Sequence, residues 1–470
     1  MTKWEPVIGL EIHVQLDTRT KMFCGCALSF GEPPNTRTCP VCLGLPGTLP
    51  VINAQAVHFA LMMGMALGCE IAPRSIFHRK NYFYPDQAKN YQISQYDIPI
   101  CSGGRLGDVR LHRIHLEEDA AKLVHLGESG RIHGADASIV DYNRGGTPLC
   151  EIVTEPDIHS AEQARDWLNL LRVTLRQLGV SDVNMEEGSL RCDANVSVRP
   201  AGSTELGTKT ELKNMNSFRY LERGVNAEIE RQIALLEAGE PVVQETLHFD
   251  PASGRLSSLR SKEEAHDYRY FPEPDLVPLV PTEAMTAAAR AELPELPADR
   301  EARYRTEFGL ADDPARLLAY EPQWGDYFER VDAEAKAAAN WVEQLRARIG
   351  ADADPAASQV TPEALAQLIG LVGERKINAG AGRQVLDALV AEGGDPAAIV
   401  EREGLGSMGG GDELAGVVAA AIAANGDAAE KVRGGNAKAM GPIVGFVMRE
   451  TKGRADGGEV GRLIREQLGV

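Results

Sequence analysis

The sequence predicts an α+β protein in which a sheet-containing N-terminal domain is followed by helices. Three observations carry this prediction. Apolar and polar residues alternate without a break from Ile8 to Leu16, which is the period of a half-buried β-strand. The same alternation returns from Leu190 to Arg199. Beyond Pro294-Glu-Leu-Pro297 the chain becomes rich in Ala, Glu and Arg, which indicates an almost wholly helical remainder.

A chain of 470 residues is long enough for two or three domains, and we predict three. Residues 1–293 form an antiparallel or mixed α+β domain with one polar sheet face, residues 294–404 a helical domain, and residues 405–470 a small all-α tail. The last boundary falls in the glycine-rich segment Gly404–Gly411. That segment matches G-x-G-x-x-G, but it follows a helical stretch rather than a strand, which argues against a dinucleotide site.

Further elements of the first domain follow from local signals. Strands that carry acids are predicted at Leu111–Asp119 and Leu149–Val153, with a turn at Arg144–Pro148 between them. Ser160-Ala-Glu-Gln163 is a capping-box signal for a helix that ends at Gly179. A second helix is predicted from about Ser217 to Gly239. We expect both helices to pack on the sheet.

Two close cysteine pairs lie in the segment 24–42, in the pattern C-x-C-x12-C-x2-C. Four thiolates at such spacing can converge on one tetrahedral ion, and Zn²⁺ is the usual occupant. Four protein ligands leave no position for substrate, so we predict a structural zinc site rather than a catalytic one. The alternative is four reduced cysteines without a metal. The predicted ligands are Cys24, Cys26, Cys39 and Cys42.

The polar sheet face is the best candidate for chemistry. The alternation places Glu11 and His13 on one face of the first strand and Asp193 on the corresponding face of a later one. Glu118 and Glu151 lie in the two other acid-bearing strands. Carboxylate-rich clusters of this kind suit Mg²⁺. The alternative is an ordinary solvated sheet face on which acids pair with Lys or Arg.

A second concentration runs from Arg74 to Tyr96, where five basic residues and six aromatic ones accompany a single acid, Asp86. Basic groups beside aromatic rings can bind phosphates and unpaired bases. Aromatic residues in the core with lysines reaching outward would give the same composition. The chain has no P-loop in register, no HExxH and no G-x-S-x-G motif, so a site for ATP would belong to an unusual fold.

Charge and cysteine content bear on nucleic-acid binding and on the cellular compartment. The net charge of −19 argues against a general nucleic-acid coat, although it leaves room for a local basic groove. The remaining cysteines are scattered, which with the zinc pattern favours a reducing compartment. The sequence shows no signal peptide and no run of about 18 apolar residues, so we expect a cytoplasmic protein without a membrane span.

Five segments, in this order along the chain, resemble the GatB family, the B subunits of the glutamyl/aspartyl-tRNA amidotransferase. Gly434–Gly441 is similar to the YqeY-type tail of the same family, so the resemblance covers nearly the whole chain. The five segments are Gly9-Leu-Glu-Ile-His-Val-Gln-Leu16, Lys80-Asn-Tyr-Phe-Tyr-Pro-Asp86, Asp141-Tyr-Asn-Arg-Gly-Gly-Thr-Pro-Leu-Cys-Glu-Ile152, Met185-Glu-Glu-Gly-Ser-Leu-Arg-Cys-Asp-Ala-Asn-Val-Ser197 and Tyr268-Arg-Tyr-Phe-Pro-Glu-Pro-Asp275.

The resemblance implies an enzyme that acts on mischarged tRNA. ATP and Mg²⁺ would activate the side-chain carboxylate of Glu-tRNA(Gln) or Asp-tRNA(Asn), and ammonia would then amidate it. It also implies a cradle-like catalytic domain in which Lys80 lies near the acceptor end or the ammonia path. The Mg²⁺ ligands would be Glu11, His13, Glu118 and Glu151, with Asp193 as a further site residue.

The resemblance also implies partners. The chain shows no glutaminase signature, so ammonia would come from a GatA-type glutaminase subunit, bridged by a small GatC-type subunit. The related GatE carries a large insertion before its helical part. Only a short segment separates Asp275 from Pro294 here, which favours the B-type assignment.

The tail is predicted to bind the body of the tRNA. From Lys431 to Val470 there are eight basic and four acidic residues, in contrast to the acidic whole. The alternative is a set of ordinary solvated helix faces. The candidate contacts are Lys431, Arg433, Lys438, Arg449 and Lys452.

Two functions of other classes remain open at this point. A non-catalytic zinc-dependent RNA-binding adaptor would account for the cysteines, the basic aromatic stretch and the helical tail, but it leaves the acidic face without a role. A Mg²⁺-dependent phosphohydrolase is the third candidate.

Overall fold

The computed structural model describes residues 3–29, 31–126, 136–213, 215–261, 268–407, 412–451 and 454–470. They form two compact units that divide between Ala298 and Asp299, slightly beyond the predicted boundary at 293/294. The described strands lie in the first unit, whereas the second is helical. The predicted α+β class is therefore confirmed.

Secondary-structure elements of the first unit are numbered in chain order. Its strands are β1 Trp4–Gln15, β2 Glu70–Ile71, β3 Phe77–Asn81, β4 Tyr91–Gln95, β5 Cys101–Ser102, β6 Arg105–Leu106, β7 Val109–Glu118, β8 Lys122–Leu126, β9 Ala137–Asp141, β10 Pro148–Thr154, β11 Leu190–Pro200, β12 Thr210–Lys213, β13 Glu245–Asp250, β14 Arg255–Ser261 and β15 Phe271–Pro272. Its helices are α1 Ala54–Ala66, α2 Ala161–Gln177, α3 Phe218–Glu237 and α4 Glu283–Ala291.

The main sheet has the strand order β14-β13-β12-β11-β1-β10-β7-β5-β2, with β6 also paired to β7. Its neighbouring strands are antiparallel except for the parallel pair β12 and β13, as an antiparallel or mixed sheet predicts. The apolar side chains of β1 point into the core, where Leu10 and Ile12 are fully buried. They share that core with Leu168 of α2 and Val225 of α3.

Both helices predicted in the first domain are confirmed. Ser160 accepts a hydrogen bond from the backbone N–H of Gln163 at 3.1 Å and opens α2. Ser217 does the same for Tyr220, also at 3.1 Å, and opens α3. Each serine satisfies an N–H group that the first helical turn would leave unpaired.

A smaller sheet of order β15-β3-β4 lies beside the end of β7, and β8 pairs with β9 separately. Side chains join β4 to β7: Gln92 Nε2 donates to the carbonyl of Glu118 at 2.7 Å, and the N–H of Leu116 donates to Gln95 Oε1 at 3.0 Å. Side chains of β4 therefore satisfy backbone groups along the edge of β7 near its end.

The second unit is built from α5 Pro297–Thr306, α6 Asp312–Tyr320, α7 Pro322–Glu329, α8 Ala335–Ile349, α9 Pro362–Gly373, α10 Ala379–Glu392, α11 Pro396–Glu403, α12 Asp412–Ala424, α13 Gly426–Arg433, α14 Gly441–Glu450 and α15 Gly457–Leu468. It contains two hydrophobic cores, one between Tyr304 and Leu405 and one between Leu414 and Leu468. Leu405 packs with the first of these cores, although the predicted boundary at 404/405 assigns it to the tail. Among the described residues, no helix has both the length and the apolar composition to cross a bilayer.

An ion-pair network stabilises the first of these cores. Glu329 of α7 accepts hydrogen bonds from Arg300 Nη2 and Arg303 Nη2, each at 2.8 Å, and from the hydroxyl of Tyr304 at 2.6 Å. Burial alone would raise the pKa of Glu329, but these hydrogen bonds outweigh it and lower the pKa.

Candidate active site

The central strands bring several of the predicted site residues onto one polar face of the main sheet. In the register of β1 with its neighbours, His13 lies opposite Glu151 of β10 and Glu11 lies opposite Asp193 of β11. Residues directly opposite each other on antiparallel strands point to the same face. These four side chains therefore share a face, in agreement with the alternation in the sequence.

A buried cluster of two histidines and two glutamates forms where β1, β7 and β10 meet. Nε2 of His13 lies 3.3 Å from Oε2 of Glu151 and 3.7 Å from Oε1 of Glu117. Nε2 of His115 lies 3.6 Å from a carboxylate oxygen of each glutamate. We call these four residues the carboxylate–histidine cluster.

Three members of this cluster have the spacing of metal ligands. One ligand atom from each of His13, Glu117 and Glu151 lies within 4.8 Å of the other two. A single cation can bridge donor atoms at this separation, and two carboxylate oxygens provide the hard ligands that Mg²⁺ prefers. The residues present therefore fit a divalent metal.

The cluster keeps its carboxylates ionised. Burial alone would lower the pKa of His13, but a hydrogen bond to Glu151 and the charges of Glu151 and Glu117 raise it to about 9. Burial alone would raise the pKa of Glu151, but the charges of His115 and His13 hold it well below its usual range. Both carboxylates are therefore charged and suited to a cation, and His13 would release its proton when its Nε2 binds a metal.

His115 is oriented by a neighbouring arginine. Nε of Arg113 donates to Nδ1 of His115 at 3.3 Å. Nε2 points towards Glu117 and Glu151. His115 therefore positions the two carboxylates, as partners of metal ligands commonly do.

The structure corrects the prediction for Glu118. This residue points to the opposite face of β7, where it forms a buried ion pair with Lys89 and accepts a hydrogen bond from the N–H of Ile93 at 3.0 Å. Glu117 takes the place expected for Glu118. The pairing of β7 with β10 shifts register between Arg113 and Leu111, and this irregularity reverses the alternation within the strand.

Glu11 and Asp193 lie on the polar face but outside the cluster. Glu11 accepts a hydrogen bond from Asn195 Nδ2 at 3.0 Å, and burial together with the charge of Glu151 raises its pKa. Lys213 bridges two acids: its Nζ lies 3.1 Å from Asp193 and 2.9 Å from Glu211. Lys213 lines the same cleft as Glu11, and its position was not predicted from the sequence.

A cleft of about 340 Å³ contains the cluster. Glu11 lies on its wall, and Lys80, Lys209 and Lys213 supply positive charge around the carboxylates. Lys80 reaches the cleft from β3, with its Nζ 4.6 Å from the ring centre of Tyr268. The cleft thus combines a site for a cation with basic groups that can hold an anion.

The four predicted zinc ligands come together in the segment after β1. Their sulfur atoms all lie within 4.8 Å of one another. Hydrogen bonds from Cys24 and from the Cys39 N–H, with the charge of Lys21, lower the pKa of the Cys42 thiol to about 4. Lys21 is almost fully buried, and its Nζ lies 3.7 Å from Cys42 Sγ. A soft four-sulfur set with these neighbours fits Zn²⁺.

The candidate tRNA contacts of the tail lie on exposed surface. Lys431, Lys438 and Arg449 are exposed, and Arg433 lies 3.5 Å from Glu430. Lys452 lies outside the described residues. Binding of tRNA by this surface stays a prediction.

The fold and the cleft together define a class: a chain with an α+β unit, whose cleft is lined by candidate cation ligands, and a helical unit. Comparison with known families agrees. Residues 6–287 match the family model described as the GatB/GatE catalytic domain, and residues 326–468 match the one described as the GatB domain. The chain belongs to the GatB family.

Relatives named as B subunits of aspartyl/glutamyl-tRNA(Asn/Gln) amidotransferase are similar along almost their entire length. The protein of Frankia casuarinae is 50% identical over 489 residues, which cover 100% of this chain and 97% of the relative. That of Anaeromyxobacter dehalogenans is 48% identical over 487 residues, with 100% and 99% covered. That of Geobacter sulfurreducens is 49% identical over 478 residues, with 99% of each covered.

Proposed function

We propose that this chain serves as the B-type component of a heteromeric, tRNA-dependent amidotransferase. It would activate the side-chain carboxylate of Glu-tRNA(Gln), Asp-tRNA(Asn) or both with ATP, and then amidate it with ammonia. The observation that carries this proposal is the carboxylate–histidine cluster, buried at the cleft of the domain that matches a catalytic family model.

The chemistry explains the composition of the cleft. A carboxylate is a poor electrophile, and its conversion to an acyl phosphate brings several negative charges into one site. His13, Glu117 and Glu151 would hold Mg²⁺, which supplies charge neutralisation for the phosphates. Lys80, across the cleft, would bind an anionic group of ATP or of the aminoacyl end.

The four cysteines would hold one structural Zn²⁺, because a closed set of four thiolates leaves no open position for catalysis. The names of the relatives support a heteromeric enzyme. We therefore propose a glutaminase subunit and a small bridging subunit as partners, and the cytoplasm, where tRNA is charged, as the compartment.

A tRNA-dependent ATP-cleavage assay tests the proposed function. ADP release by the assembled enzyme should require mischarged tRNA, and uncharged tRNA should not replace it. Glu151→Gln should abolish this release. Glu155→Gln is a matched control, because Glu155 lies just beyond the same strand and contacts His112 instead of the cluster.

Two results would overturn the proposal. ATP cleavage that proceeds equally without mischarged tRNA would indicate a phosphohydrolase. Stable tRNA binding by a zinc-loaded chain that never cleaves ATP in the assembled enzyme would indicate the adaptor.

A further inference from the structure

We propose that the four-cysteine segment, residues 24–42, is a site of reversible oxidation by hydroperoxides. A disulfide between Cys39 and Cys42 displaces the metal and weakens cation binding at the carboxylate–histidine cluster. The inference rests on the proposed zinc and magnesium sites, and it adds a control of the second by the first. Its support comes from access to the sulfur atoms, from the burial of the other thiols, and from hydrogen bonds that lead towards the cluster.

The sulfur atoms of this segment can be reached by small molecules. All four cysteines are half-buried rather than buried. A cavity of about 200 Å³ borders Cys24 and Cys42, and its lining also includes Leu45 and Gly47, which are exposed. A peroxide molecule is smaller than this cavity, so it can approach the sulfur atoms from solvent.

The other cysteines of the chain are protected. Cys101, Cys150 and Cys192 are at most 2% exposed, and burial raises the pKa of each thiol. Cys69 is half-buried, and burial raises the pKa of its thiol to about 12. The thiolate is the form that attacks a peroxide, and cysteines that bind a metal are thiolates. Oxidation should therefore begin in the four-cysteine segment.

The two cysteines of the C-x-x-C pair are placed for a disulfide. The N–H of Cys39 donates to Sγ of Cys42 at 3.2 Å, which holds that sulfur next to its partner residue. With hydrogen peroxide, one thiolate attacks the O–O bond and becomes a sulfenic acid, and hydroxide leaves. The second thiolate attacks the sulfenic sulfur, forms the S–S bond and releases a second hydroxide. Two electrons pass from the thiolates to the peroxide, and the metal loses two of its four ligands.

The loop between the two cysteine pairs holds the end of β9. The N–H of Asn35 donates to Asp141 Oδ1 at 3.0 Å, and Asn35 Nδ2 donates to the carbonyl of Val140, also at 3.0 Å. Oδ1 of Asn35 accepts a hydrogen bond from the N–H of Tyr142 at 2.8 Å. A metal bound to both cysteine pairs closes the loop that contains Asn35, so it holds these contacts in place.

The end of β9 leads directly to the strands of the cluster. The chain continues through the turn that contains Gly146, whose N–H donates to the carbonyl of Asp119 at 2.8 Å, just beyond β7. β7 carries Glu117 and β10, which follows the turn, carries Glu151. Release of the metal therefore removes a support from the ends of both strands, and the spacing of the candidate ligands is held less firmly.

Peroxide treatment of the zinc-loaded full chain tests the inference. A chromogenic chelator measures zinc release, mass spectrometry after alkylation of free thiols locates the disulfide, and calorimetric titration with Mn²⁺ measures the affinity of the cluster. Hydrogen peroxide should release zinc with formation of the Cys39–Cys42 disulfide. Mn²⁺ affinity should fall by about 10–100-fold, the range for loss of a group that orients metal ligands. A dithiol reductant with added zinc should restore both.

Two variants separate the steps. Asn35→Gly removes the side-chain hydrogen bonds to β9 and the residue after it, leaves every thiol in place and suits the φ of +62° at this position. It should retain zinc and yet bind Mn²⁺ more weakly before any oxidation. Asn90→Gly is its matched control, because Asn90 has a similar φ of +61° and makes none of these contacts. Cys69→Ser removes a half-buried thiol outside the segment and should respond to peroxide like the wild type.

Zinc that stays bound while peroxide oxidises other thiols would overturn the inference and leave the zinc site standing. Zinc release without loss of Mn²⁺ affinity, or normal Mn²⁺ binding by Asn35→Gly, would overturn the coupling to the cluster. A loss that the dithiol does not reverse would show damage instead of reversible control. A reduced wild-type chain that lacks zinc, or that binds no Mn²⁺, would refute the proposed metal sites and the inference with them. The tRNA-dependent ATP-cleavage assay tests the proposed function separately.

Discussion

Glu117 and Glu118 follow each other in β7 but point to opposite faces of the sheet, so two single substitutions separate two roles. Glu117→Gln removes a candidate metal ligand. Glu118→Gln removes the partner of Lys89 and leaves the carboxylate–histidine cluster intact. We predict that the first variant loses metal affinity and the second loses stability.

The magnitudes follow from the contacts. Loss of a residue that only orients a ligand lowers metal affinity by about 10–100-fold, so loss of the ligand Glu117 should cost at least about 100-fold. The Glu118 and Lys89 side chains are 5% and 10% exposed. Removing one member of such a buried pair typically costs about 3–5 kcal/mol, because the other charge is left without a partner.

The assay measures both quantities for each variant. Mn²⁺ or Mg²⁺ affinity is determined by calorimetric titration of the full chain, and stability by the urea midpoint of the first unit. Lys89→Met combined with Glu118→Gln is the control: removal of both charges should recover much of the stability that Glu118→Gln loses. If Glu117→Gln bound metal normally while Glu118→Gln lost metal affinity, the two glutamates would have been assigned to the wrong faces of β7.

Three further outcomes are expected. Cys39→Ser should reduce bound zinc well below one per chain in metal analysis and destabilise the 24–42 segment; a wild-type chain that contains no zinc after purification without chelators would contradict the site. Truncation after Ser407 keeps Leu405 in its core and removes the tail. It should weaken tRNA binding and lower the slope of log affinity against log salt by about 0.7–0.9 per lost phosphate contact. Unchanged binding would show that the tail does not contact the tRNA. Glu329→Gln should destabilise the helical unit by about 1–3 kcal/mol, as expected for hydrogen bonds to a charged group. Because the folded-state pKa of Glu329 is lowered, its contribution is complete above the unfolded pKa of about 4.3 and is lost as the pH falls through the folded value. Circular dichroism melts across this range should therefore converge for wild type and variant at low pH, and a constant difference would contradict the assignment.

Strict alternation allowed much of the polar face to be predicted. β1 and β11 are regular, so the shared face of Glu11, His13 and Asp193 follows from period two alone. β7 is irregular, so alternation counted from Leu111 assigns Glu117 and Glu118 to the wrong faces of the sheet. The pattern Ile114-His-Leu116-Glu contains the correct phase, because His115 and Glu117 alternate with apolar residues.

Other features of the site depend on packing that periodicity does not encode. Glu118 and Glu117 are both buried because β4 covers the end of β7, so burial does not distinguish them. Ring contacts join Tyr82 and Tyr96, which directly follow β3 and β4, to Tyr268 and Tyr270, which lie just before β15 and are distant in sequence. Sequence composition identified the basic aromatic stretch, but only the fold shows that Tyr268 and Tyr270 complete it.

The residues just before the four-cysteine segment contact the turn that precedes β10. The N–H of Met22 donates to the carbonyl of Gly146 at 2.7 Å, and Lys21 Nζ donates to the carbonyl of Tyr142 at 2.9 Å. The N–H of Gly146 in turn donates to the carbonyl of Asp119 at 2.8 Å. Gly146 has a φ of +89°, and a Cβ there would lie 3.2 Å from Lys21, so glycine suits both the turn and the close approach.

These contacts join the residues next to the cysteine segment to the turn at the ends of β7 and β10, the two strands that carry Glu117 and Glu151. Both glutamates must be held close together although their charges repel each other: burial and the charge of Glu151 act to raise the pKa of Glu117, but His115 and His13 outweigh them and lower it. A rigid turn next to both strands opposes their separation. A metal held by the four cysteines would fix the residues next to this turn, and would in this way support the strands of the candidate ligands Glu117 and Glu151 without taking part in catalysis.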